Sequence, residues 1–258
     1  MRVTVLGSGA SSGVPLIGCD CSVCSSSNPK NRRTRVSILI EVGNSKLLVD
    51  TSPDLRTQAI SNGIKKVDAI FFTHAHADHV HGIDDTRSFN YHLNQHINIY
   101  GDNETLAEIQ QRFPYAFKPA IPEYGWFRPC LVPNIIGEEM LPFKVTGEFE
   151  VRPFRQFHGK IQTLGLRVND FAYSTDVNNL PEESFQALRN TKIWLVDCLR
   201  YHPAPTHAHL EMTLDWIERV KPELAILTHM GHEFDYETLL KELPASVVPA
   251  YDGMVIDL

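Results

Sequence analysis

Four side chains able to bind a metal ion, His74, His76, Asp78 and His79, fall within six residues directly after the short apolar run Ala69-Ile70-Phe71-Phe72. An i, i+2 histidine pair suits an extended or tight-loop backbone rather than one helix face. His74 and His76 can therefore converge on one ion while Asp78 and His79 point at another. A histidine-rich surface turn is the bland alternative, but three of the chain's 12 histidines share this one hexapeptide. The pattern recurs downstream. His158 closes the run 150–157, Asp176 follows 171–175 and His229 follows 224–228. A lone histidine after a strand is more often a turn or satisfied core residue. Taken in order, however, apolar runs that each carry one polar ligand at their end are how an α/β sheet builds a site along one edge.

With 258 residues, 43% of them hydrophobic, the chain can bury a core, and no repeat, low-complexity tract or long polar linker divides it. A single domain spanning 1–258 is expected. Periodicity predicts strands at about 2–6, 36–41, 46–49, 69–72, 97–100, 151–157, 163–168, 171–174, 193–196, 224–227 and 255–257. Helices are predicted at 53–62, 103–113, 181–188, 210–220 and 236–243. Gly7-Ser8-Gly9 interrupts the first apolar run after four residues, and no stretch approaches eighteen apolar residues, so neither a secretory leader nor a membrane span is expected and the protein is read as cytoplasmic. The third glycine of Gly7-Ser8-Gly9-Ala10-Ser11-Ser12-Gly13 is one position late for a dinucleotide fingerprint, and Pro15 leaves no room for the helix that would follow. A tight loop near the metal site is the remaining reading.

His74-Ala-His76-Ala-Asp78-His79, with the ordered His158, Asp176 and His229, resembles the metallo-β-lactamase fold superfamily of hydrolases, over Val3 to Asp257. The resemblance implies an α/β fold built as a four-layer αβ/βα sandwich. It implies that His74, His76 and His158 hold one divalent metal, that Asp78, His79 and His229 hold another, and that Asp176 bridges them. The ions would be manganese or zinc. Two ions ~3.5–4 Å apart can lower the pKa of a shared water toward neutrality and make it a nucleophile, which puts Asp78 and Asp176 among the catalytic residues. Asp50, ending the run Leu47-Leu48-Val49, stands where the superfamily has a carboxylate that orients the histidine loop.

Cys19, Cys21 and Cys24, three of the five cysteines, lie in six residues, which in a cytosolic chain argues for metal rather than disulfide. Tetrahedral zinc needs a fourth ligand, and His232, three residues past His229, is the candidate. Cys130 and Cys198 read as packing thiols. The Cys-x-Cys-x-x-Cys triplet after Gly-Ser-Gly and the distant His-x-x-His resemble, within the superfamily, the phosphodiesterase of the carbon–phosphorus lyase pathway, where such residues bind structural zinc. The same likeness covers Pro53-Asp54-Leu55-Arg56, Gly82-Ile83-Asp84-Asp85 and Arg200 to His207. It assigns a histidine of the last segment as general acid, mapped here to His207. Ala204 stands where a second histidine is expected and His209 lies two positions on, so His209 is the alternative.

The proline- and aromatic-rich stretch at about 113–134 reads as a semi-rigid flap beside the pocket, with a subunit interface, and hence a homodimer, as its other use. Lys30, Arg32, Arg33 and Arg35 read by default as a solvated edge. The expected function is hydrolysis of small cyclic or nucleotide-like phosphate diesters. Transfer-RNA 3′-end cleavage is the alternative, and a formal charge of −7 disfavours a broad surface for extended nucleic acid. A carrier-type relative, like those of quinone-cofactor biosynthesis, would keep the fold without a working acid.

Overall fold

The computed structural model describes residues 1–119 and 127–258. Strands β1 (Arg2–Gly7), β2 (Ser37–Val42), β3 (Ser45–Val49), β4 (Ala69–Phe71), β5 (Ile97–Asp102) and β6 (Leu131–Ile136) run in sequence order across a first sheet. Strands β7 (Phe143–Val145), β8 (Phe149–His158), β9 (Ile161–Val168), β10 (Phe171–Ser174), β11 (Ile193–Asp197), β12 (Leu224–Thr228) and β13 (Val247–Pro249) do the same across a second. Strand β14 (Val255–Asp257) returns to pair with β1. Pairing is parallel from β3 to β6 and from β10 to β13, and antiparallel elsewhere.

Period-2 alternation sorts the first sheet's side chains between two cores. Ile38, Ile40, Leu47, Val49, Ala69 and Phe71 face the second sheet, meeting Val151, Leu164, Leu166 and Tyr173. Leu39, Leu48, Ile70 and Phe72 point the other way, under α1 (Leu55–Ser61), α3 (Arg87–Leu93) and α4 (Asn103–Arg112) through Leu55, Phe89, Leu106 and Ile109. Helices α5 (Glu182–Ala187), α6 (Leu210–Val220) and α7 (Tyr236–Glu242) add Phe185, Ile217 and Leu239 to the second sheet's core. The result is the expected four-layer sandwich. A parallel strand ends where its helix-bound connection begins, so β3, β4, β10, β11 and β12 all end on one side of the molecule.

Helix α3, seven residues long, was not foreseen, and the strands not foreseen are short or broken by proline. Strand β6 contains Pro133 and sits at a sheet edge, where a missing N–H costs no ladder bond. Strands β7 and β13 are three residues each, below the length at which alternation is visible. Part of the expected flap takes other forms: Pro114–Phe117 is a 3₁₀ turn with Phe113, Tyr115 and Phe117 packed on the outer core, and 131–134 belongs to β6. Residues 120–126 of that stretch lie outside the described residues.

Candidate active site and its metal ligands

Each ligand-bearing loop starts from a strand end. His74 and His76 follow β4, and Asp78 and His79 lie in the single turn α2 (Ala77–Val80), which takes them off the line of the histidine pair. His158 closes β8, Asp176 follows β10 and His229 follows β12. Asp50, Asp176 and His229 have φ of 61°, 51° and 57°. That left-handed region costs a non-glycine residue about 1–3 kcal/mol, and such strain gathers where a side chain must be aimed at a site.

His74, His76, His158 and Asp176 form one group whose ligand atoms lie within 4.8 Å of one another, and Asp78, His79, Asp176 and His229 form a second. Asp176 is common to both. Its Oδ1 is 3.1 Å from His79 Nε2 and 3.4 Å from His229 Nε2, and its Oδ2 is 3.8 Å from His74 Nε2 and 3.9 Å from His158 Nε2. Bond lengths of about 2.0–2.1 Å in a tetrahedron put neighbouring donors roughly 3.4 Å apart, so these spacings are those of ligands around an ion. His74 Nε2, His79 Nε2, His229 Nε2 and Asp78 Oδ2 are buried with no hydrogen-bond partner among the described residues, an arrangement that a metal ion would satisfy.

The other ring nitrogens are already engaged. His79 Nδ1 donates to Asp50 Oδ2 at 2.7 Å and His158 Nδ1 to the Thr206 carbonyl at 2.6 Å. Because carboxylates and carbonyls can only accept, these bonds fix the tautomer and leave Nε2 for the metal. Thr73 donates its N–H and hydroxyl to Asp50, each at 2.8 Å, and its oxygen lies 3.1 Å from His74 Nδ1. Asp50 therefore orients the histidine loop, as its position at the end of β3 suggested. Burial opposes charge on Asp176, but His229, His79 and His74 hold its carboxyl well below the usual range. Burial likewise opposes charge on His229, yet Asp176, Asp78 and Asp197 push it up to about 9.

His207 reaches this cluster and His209 does not. The His207 ring stacks on His229 (centroids 4.6 Å), meets His158 edge-on (4.4 Å) and brings Nε2 within 3.8 Å of Asp176 Oδ2. His209 precedes α6 as its N-cap and belongs to none of the ligand groups among the described residues. Asp197, at the end of β11, accepts from His207 Nδ1 at 2.9 Å. Sequence reasoning passed over it, although a carboxylate closing an apolar run is the same signal that marked Asp50 and Asp176.

The thiols of Cys19, Cys21 and Cys24 converge with His232, whose Nδ1 is 3.6 Å from both Cys19 Sγ and Cys21 Sγ. A tetrahedron of Zn–S at 2.3 Å and Zn–N at 2.1 Å has edges of about 3.6 Å, so the residues fit zinc. The His232 hydrogen bond, helped by the Cys24 N–H, lowers the Cys21 thiol to about 6, while burial raises Cys24 to about 11. Arg33, expected at a solvated edge, is instead fully buried. Its guanidinium donates to the Gly231 and Phe234 carbonyls at 3.2 and 2.8 Å, clamping the loop that carries His232. Arg35 is paired with Asp54 at 3.0 Å. Gly9 bridges to Met230, so the glycine–serine loop lies beside His229 as expected.

The beta-lactamase superfamily domain model matches residues 45–230. The crystal structure of a diphosphatase from the PhnP family superimposes with a TM-score of 0.91 at 34% identity, covering 100% of this chain and 97% of that one. Zinc-bound PqqB from Methylobacterium extorquens (TM-score 0.81, 20% identity, full coverage of both chains) and the short form of human tRNase Z (0.68, 18%, 100% and 99%) share the fold. An octanoyltransferase of Porphyromonas gingivalis is 34% identical over 98% of this chain, which spans about half (51%) of that protein's length. Fold, ligand geometry and full-length similarity together place the chain in the beta-lactamase superfamily, as a member of the PhnP family.

Proposed function

We propose that the protein is a metal-dependent phosphodiesterase acting on small cyclic or nucleotide-like phosphate diesters. The observation that carries this reading is the position of His207. It stands among the ligands of both candidate metals with its Nδ1 held by a carboxylate, where a proton donor for a departing alkoxide is needed. When bound, two divalent cations, manganese or zinc, would supply Lewis-acid polarisation of the phosphoryl oxygens and a water of lowered pKa. The chain's own share is positional. His74, His76 and His158 would hold one ion and Asp78, His79 and His229 the other, with Asp176 setting their separation. His207 gives its Nε2 proton to the leaving oxygen, a contribution of about 10²–10⁴-fold.

Similarity to a diphosphatase supports chemistry at phosphorus. The transfer-RNA reading rests on 18% identity, which speaks for the fold alone, and it is opposed by the −7 charge. The PqqB likeness is likewise one of fold. The octanoyltransferase name belongs to a protein about twice as long. The test is a panel of substrates with the metal-loaded protein: bis-p-nitrophenyl phosphate, 2′,3′-cyclic nucleotides, a diphosphate-linked dinucleotide, monoesters and precursor transfer RNA. Diesters should turn over far faster than monoesters, whose second negative charge would face Asp78 and Asp176. Preference for monoesters would make the protein a phosphatase. Efficient transfer-RNA cleavage with weak action on small diesters would favour the endonuclease, and no turnover of any of them the carrier.

A further inference from the structure

Asp197 is fully buried, and its two carboxylate oxygens have different surroundings. Oδ2 accepts two hydrogen bonds, each of 2.9 Å, from His207 Nδ1 and from the Val177 N–H. Oδ1 has no hydrogen-bond partner among the described residues and faces His229 Nδ1 at 3.7 Å. The main chain beneath is also held, because Thr213 Oγ1 donates to the Asp197 carbonyl at 2.8 Å. A carboxylate is costly to bury without charge-assisted partners, and a well-packed hydrophobic residue would serve β11 at least as well if only packing mattered. Val177 directly follows Asp176, so one carboxylate oxygen ties the proposed donor ring to the backbone that carries the shared metal ligand.

We propose that Asp197 is the positioning residue of the proton donor. By accepting Nδ1–H it holds the His207 ring in the one rotation that presents Nε2 to the leaving oxygen, and its negative charge balances the doubly protonated ring that carries the Nε2 proton to be given. The proposal rests on the phosphodiesterase reading above. In the step concerned, the oxygen of water bonds to phosphorus and the bond from phosphorus to the alkoxide oxygen breaks, its electron pair staying on that oxygen. The alkoxide then takes the Nε2 proton, and His207 is left neutral with its Nδ1 proton still donated to Asp197. An asparagine at 197 keeps the size but removes the charge that balances the doubly protonated ring, and its NH₂ turned toward Nδ1 would make that nitrogen an acceptor, so that the ring holds a single proton on Nε2 and would become an anion by giving it up.

The experiment compares Asp197→Asn, His207→Ala and the double variant in the full-length, metal-loaded protein, with metal content measured in each. Bis-p-nitrophenyl phosphate, whose phenolate leaves unaided, is set against a 2′,3′-cyclic nucleotide, whose alkoxide does not. Asp197→Asn should lower kcat on the cyclic nucleotide by about 10²-fold or more, within the range of lost proton donation, with KM little changed. The nitrophenyl diester should be largely spared, metal content should hold, and the double variant should be no worse than His207→Ala. Equal losses on both substrates, loss of metal, or a further loss in the double variant would overturn the proposal and move the role of Asp197 to His229. If His207→Ala is selective and Asp197→Asn is not, the proposal fails alone; if His207→Ala is not selective, the donor reading fails with it. Should Asp197→Asn not fold, long-range ¹H–¹⁵N spectra of the wild-type protein, with His207→Ala for assignment, decide the matter. A His207 ring carrying its proton at Nδ1 supports the proposal, and a neutral ring protonated at Nε2 alone sinks it.

Discussion

Asp176 stands in both His/Asp groups, so its loss should do what loss of no single histidine does. In Asp176→Ala the carboxylate shared by the two groups disappears and their five imidazoles face one another without it. Activity should fall by more than about 10³-fold, in keeping with loss of a two-metal arrangement, and elemental analysis should show at most one metal left in the pair. Retention of both metals with substantial activity would show that Asp176 is not their common ligand. The left-handed backbone at Asp176 and His229 belongs to the same account: both residues step off a strand and immediately turn back toward the edge they have just left.

At the scale of elements, the loops are pinned by backbone contacts too close to allow a larger residue. Gly82 donates to the Thr51 carbonyl at 2.9 Å while Thr51 donates to the His79 carbonyl at 2.7 Å, which ties the turn carrying Asp78 and His79 to the loop after β3. A Cβ at position 82 would lie 2.0 Å from the Ser52 carbonyl oxygen. Gly82→Ala must therefore move backbone. It should lower metal affinity by about 10–100-fold, as loss of ligand support does, and a metal titration matching wild type would contradict this. The cysteine loop is joined to the site through the segment from His229 to His232, which Arg33 clamps. Cys21→Ala should mainly lower thermal stability, because structural zinc contributes to folding directly. A stable but inactive variant would show that the loop serves catalysis instead. The acid limit of that loop follows from the Cys21 thiol, lowered to about 6. The folded state favours the thiolate, so this stabilisation is complete above the ordinary thiol range and is lost as pH falls through about 6. Zinc release, followed with a chromogenic chelator, should set in only below that point.

For the whole molecule, two sheets brought together at one edge gather both His/Asp groups there, with the Cys/His group beside them through the segment from His229 to His232. The purified protein should carry about three metals per chain, zinc on the thiolates because soft sulfur selects it, and manganese or zinc on the His/Asp pair. One metal or fewer by elemental analysis would exclude that arrangement. The sheets meet at the site itself: the Leu164 N–H, within β9, donates to the Thr73 carbonyl, directly before His74, at 2.9 Å. Among the described residues no helix is long and apolar enough to cross a membrane.

The alternation of apolar residues, the strand-end ligands and the cysteine triplet were legible in the chain because each is a local pattern: period-2 burial, a polar residue closing an apolar run, thiols at fixed spacing. From these came the strands of the two cores, the residues that the fold gathers into the His/Asp and Cys/His groups, and Asp50. The turn α2 was not legible because four residues are too few to show a period, and the edge strand β6 because Pro133 interrupts it and its burial does not alternate. The choice between His207 and His209 also lay beyond the sequence. Both are histidines on one loop, and only the packing of β11 against β12 decides which ring meets Asp197, His229 and Asp176. Arg33 shows the same division. Its charge suggested solvent, but three carbonyl and amide acceptors from segments 2 and about 200 residues away enclose its guanidinium, and such long-range partners exist only once the chain has folded. Composition and spacing determined which atoms could bind metal; the convergence of strand ends from two sheets determined which of them lie together, because distance between side chains is a property of the fold and not of the chain.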